Sequence, residues 1–94
     1  MTYEQLKDQV SRLSEKLDGV STNDPALLEQ RIALRQLQNQ MDIAAVPTLG
    51  AQTPDVDVEA LINAVDADIA QAQKRAQLVA QIGQVIGFVK KVIA

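Results

Sequence analysis

The side chains of this chain that could do chemistry are carboxylates, guanidiniums, ammoniums and hydroxyls. Cys and His are both absent. Thiolate chemistry, the commonest metal ligand and the commonest general base are therefore missing together. Ser11, Ser14 and Ser21 have no activating base near them in the sequence, so nucleophilic catalysis has no visible basis. Asp55-Val56-Asp57-Val58-Glu59 imitates the opening of a calcium loop. Such a loop needs Gly at its sixth place and Glu at its twelfth, where this chain has Ala60 and Asp66. Acids gathered at a helix start account for the run more simply. Asp66 and Asp68 stand two apart, about 200° around a helix, which is too divergent to share a ligand. There is no phosphate-gripping Gly-rich loop. The chain is expected to be no enzyme and to carry no metal and no cofactor.

Two constellations remain. Arg31 and Arg35 are spaced i, i+4 and would share a helix face, where they could grip a phosphate or carboxylate. Arg12 or Lys16 from the preceding segment could join them. Arg75 is a third arginine able to serve such a small anionic ligand at a subunit interface. The plainer expectation is a solvated face shared with Glu29. Gly83-Gln84-Val85-Ile86-Gly87 is a GxxxG, a pattern that lets two helices approach closely. Gln81, Gln84, Lys90 and Lys91 interrupt its apolar surroundings, so tight packing in an oligomer is expected rather than a membrane span. The many glutamines, Gln36, Gln38, Gln40, Gln71, Gln73 and Gln77 among them, read as solvated helix positions.

These groups sit on a chain of 94 residues. A chain that short buries only about 60–65% of its unfolded surface, so a lone core is marginal. Disulfides and thiolate metal sites are excluded, and oligomerisation is the rescue left open. Tyr3 and Phe88 are the only aromatics. The core must be aliphatic, which favours close-packed helices. The net charge is −3, and a nucleic-acid partner, which needs a basic face, is not expected. All twelve acids and five of the bases precede residue 69, and four bases follow it. Acids near a long helix's start and bases near its end match the helix dipole. Met1 leads straight into a polar helix pattern, and no stretch reaches about 18 uninterrupted apolar residues. A cytoplasmic location is the expectation.

The positioning elements are helices. Tyr3, Leu6, Val10, Leu13 and Leu17 repeat at heptad-like spacing and predict helix 1 over about 3–18. Thr2 with Gln5 fits a capping box, and Gly19 closes the helix. Asp24 followed by Pro25 starts helix 2, over about 25–45. Its main seam is Leu27, Leu34, Leu37, Met41 and Ala44. A second stripe, Leu28, Ile32, Ile43 and Val46, suggests a helix contacted from both sides. Residues 46–54 hold Pro47, Gly50 and Pro54 and read as a linker. Helix 3 then runs over about 55–93, with Thr53 favoured as its cap over Asp55 and Asp57. Val58, Leu61, Ile62, Val65 and Ile69 share one side of its first half. Leu78, Val79, Ile82, Val85, Ile86, Val89, Val92 and Ile93 share an arc of roughly 140° in its second half, with Gly83 and Gly87 beside it. The two arcs differ by roughly 100–120° on the wheel, with the changeover at 70–76. A straight helix of that length would span about 58 Å and protrude from a compact monomer. It is therefore bent, split or covered by partner chains.

The expected architecture is one all-α domain, a short helical hairpin plus one long C-terminal helix, continuous or kinked near 70–77. The second-half arc with its two glycines is the expected oligomer interface. The expected function is a non-enzymatic homo-oligomeric binding or adaptor protein acting through protein–protein contacts, such as a small bacterial or phage accessory protein. Two rivals stand beside it. One is a membrane-surface protein using the cationic, amphipathic C-terminal helix. The other is a sequestering protein for a small anionic ligand.

Overall fold

The computed structural model describes residues 2–44, 53–68 and 71–93. They form four helices, α1 Tyr3–Asp18, α2 Pro25–Ile43, α3 Val58–Asp68 and α4 Ala72–Ile93, with no strand among the described residues. Helix α1 begins with the expected capping box. The Gln5 amide donates to Thr2 Oγ1 at 3.1 Å, and the Thr2 amide donates to Gln5 Oε1 at 2.8 Å. Gly19 caps the other end with an ordinary φ of −81°, so no left-handed residue is needed there. Asp24 caps α2 as expected, its Oδ1 accepting from the Ala26 amide at 2.9 Å, with Pro25 in the first turn. The N-cap of α3 is Asp57 and not Thr53. Its Oδ1 accepts from the Ala60 amide at 3.1 Å. A carboxylate in that place satisfies an orphan amide and the helix dipole at once, which Thr53, four residues earlier, does not do.

The expected helix over 55–93 is two helices that pack on each other. The longest dimension of the chain is 38 Å and its radius of gyration 12.9 Å, too short for the roughly 58 Å of one continuous helix. The rotation of the apolar arc is thus the signature of two separate helices, each turning its own face inward. Helix α3 ends at Asp68 and α4 begins at Ala72, so most of the changeover segment lies at the start of α4. Residues 45–52, with Val46, Pro47 and Gly50, lie outside the described residues. So do Ile69 and Ala70, and the side chains of Asp66 and Asp68.

The helices form a ring in which α1 touches α2 and α3, and α4 touches α2 and α3. Helices α1 and α2 are antiparallel, since the Tyr3 hydroxyl donates to the Met41 carbonyl at 2.8 Å while Asp18 meets Arg35 at the far end. Helices α2 and α4 run parallel. Arg75 lies 3.6 Å from Asp24, the Gln30 amide donates to the Val79 carbonyl at 2.7 Å, and Ile43 and Ile93 share a cleft. The result is two hairpins, α1–α2 and α3–α4, laid face to face as two layers.

Between the layers lies an aliphatic core. Leu6, Val10, Leu13 and Leu17 of α1 meet Leu27, Leu34, Leu37 and Met41 of α2, Val58, Leu61, Ile62 and Val65 of α3, and Leu78, Ile82, Val85, Ile86 and Val89 of α4. Each such side chain contributes on the order of 1.5–3 kcal/mol by leaving water. Tyr3 and Phe88 pack against its edges, half-buried.

Candidate functional site

The C-terminal arc, expected to await a partner, is covered by the chain itself. Leu78, Ile82, Val85, Ile86 and Val89 are buried, and Val79, Val92 and Ile93 are half-buried against the same core. The buried part of this face has already left water within one chain and has little more to gain from a second. The burial demanded by the sequence is real, and α3 and α2 meet it from within. Gly83 and Gly87 are exposed, and a methyl group added at Gly87 would meet nothing within 4 Å. Within one chain the glycines therefore serve no close helix approach.

The opposite situation holds on α2. Its main seam is buried, while its second stripe faces outward. Leu28 is 39% exposed, Ile32 61% and Ile43 86%, and these are the exposed large hydrophobics among the described residues. Leu28 and Ile32 line one open cleft with Arg31 and Arg35, while Ile43 lies nearer the end of the helix in a cleft with Lys90 and Ile93 of α4. An apolar stripe left in water by the fold is the feature that marks an interaction face.

Arg31 and Arg35 border this stripe and do come together, but around a carboxylate of their own chain. Arg35 Nη2 lies 2.8 Å from Asp18 Oδ2, Arg31 Nε lies 3.6 Å from Asp18 Oδ1, and Arg31 Nη2 donates to the Asp18 carbonyl at 3.4 Å. The Arg35 hydrogen bond, with Arg31 adding, holds the Asp18 carboxyl below the usual carboxylate range. Asp18 thus sits where an anionic ligand would. The expected set is further dispersed. Arg75 lies by Asp24 on the α2–α4 side, and Arg12 forms a two-pronged pair with Glu59, 2.8 Å at Nη1, while also holding Asp8. Sequence reasoning missed Asp18 as the arginines' partner. Its place at the end of helix 1, one short loop before helix 2, was the available signal.

Leu28, Ile32, Gln36 and Asn39 line an open cleft of about 430 Å³ with Arg31, Arg35 and Asp18. The other end of the same layer carries charges of both signs. Glu4, Lys7, Asp8 and Asp42 line the α1–α2 groove there, with Lys7 Nζ 3.4 Å from Asp42 Oδ1 and Asp8 held by Arg12. The outer face of α2 therefore carries exposed aliphatics among mixed charges, most of them paired within the chain. Among the described residues no group of three or more acids is placed to hold a metal ion. No helix of the described residues is long and apolar enough to cross a membrane. Comparison with known proteins finds no matching family model, no similar curated protein and no similar solved structure.

Proposed function

We propose that this protein is a non-enzymatic binding protein that acts through protein–protein contacts, docking by the outer face of α2. One observation carries the reading. Leu28, Ile32 and Ile43 lie on one side of one helix and remain exposed, while the other large aliphatics among the described residues are buried or half-buried. Leaving three large aliphatics exposed forgoes burial worth on the order of 1.5–3 kcal/mol each. In a chain too small for a large core, that loss is recovered when another surface covers them. Self-association on this face, and not on the C-terminal arc, is one form such docking takes.

The rival readings have less support. A membrane-surface role needs the α4 arc to face outward, whereas that arc is core and would reach lipid only if the bundle opened. An anion-sequestering role needs Arg31 and Arg35 to release Asp18.

Photo-crosslinking in the native cell tests the proposal. A crosslinking side chain replaces Ile32 or Ile43, with Gln81 on the exposed side of α4 as the control. Protein adducts are expected from positions 32 and 43 and not from 81. Equal yields from all three, or none, would overturn it. A cytoplasmic location belongs to the same proposal and is read from the fraction that holds the adducts.

A further inference from the structure

We draw no further inference here: the strongest candidate, the exposed aliphatic face of α2 with Leu28 and Ile32 in its open cleft, carries nothing beyond the docking reading, because nothing in the structure shows what covers it.

Discussion

The Gln30 side-chain amide donates to the Val79 carbonyl at 2.7 Å, tying α2 to α4 across 49 residues of chain. Its other terminal atom, Oε1, is buried without a protein partner. The bond therefore anchors one layer to the other at a position that is only partly satisfied. Gln30→Ala should lower stability by about 0.5–1.5 kcal/mol, the usual net value of one such hydrogen bond. Urea unfolding followed by circular dichroism checks this, and a midpoint unchanged from the parent would show that the bond contributes nothing net.

The two glycines of α4 should be dispensable within one chain. Gly87 has open space at its Cβ position, and a Cβ at Gly83 would sit 3.8 Å from Gln30 Nε2, an ordinary contact. Each alanine replacement should stabilise the fold by about 0.5–1 kcal/mol, through lower freedom of the unfolded chain and better helix propensity. A loss of stability in Gly87→Ala, seen by thermal melting, would mean that another surface packs on that glycine.

Core and stripe should respond oppositely to truncation. Ile82 is fully buried, and Ile82→Ala should cost about 2–5 kcal/mol. That is a large share of the roughly 5–15 kcal/mol a small domain has, so the denaturant midpoint should fall sharply. Ile43 is 86% exposed, and Ile43→Ala should change the stability of the monomer by less than about 0.5 kcal/mol. Denaturant midpoints for both variants at low protein concentration, where association is negligible, give the comparison.

Acid should weaken the fold through two named carboxylates. Arg12 holds Glu59, and Arg35 with Arg31 holds Asp18, both below their ordinary values. Each binds fewer protons folded than unfolded. Its contribution is therefore full above the unfolded value, near about 4, and is lost as pH falls through the folded one. The melting temperature should drop below about pH 4 for that reason, and the drop should be shallower in an Asp18→Asn, Glu59→Gln double variant. The Glu59 side chain is 50% exposed and that of Asp18 34%, so high salt should blunt the effect, more for Glu59 than for Asp18. An identical acid profile in parent and double variant would assign the loss to other groups.

Tyr3 adds a check at the opposite end of the pH scale. Burial raises its pKa above the ordinary 10.0, and its hydroxyl is spent on the Met41 carbonyl. Stability from this group is whole below pH 10 and fades as pH climbs through the raised value. Tyr3→Phe should cost about 0.5–1.5 kcal/mol at neutral pH and remove that alkaline decline, both measurable by circular dichroism melts.

Much of this bundle is legible in the residues themselves. Periodicity and caps are local properties, and so Thr2 with Gln5, Asp24 with Pro25 and the two seams of α2 place α1 and α2 within a residue or two of their observed ends. The absence of Cys and His likewise limited the chemistry before any fold was known. The division of residues 55–93 was written in the rotation of the apolar arc, but a wheel cannot tell a kink from a turn back. That choice belongs to packing. Once α3 folds back on α4, Leu78, Ile82 and Val85 bury against the chain's own helices, so the burial that the arc demands is met within one chain. The same closure strands Leu28, Ile32 and Ile43 outside. Sequence determined that two apolar faces on α2 exist, because side-chain period is a local fact. Tertiary structure decided which of them water keeps, because burial depends on what lies opposite.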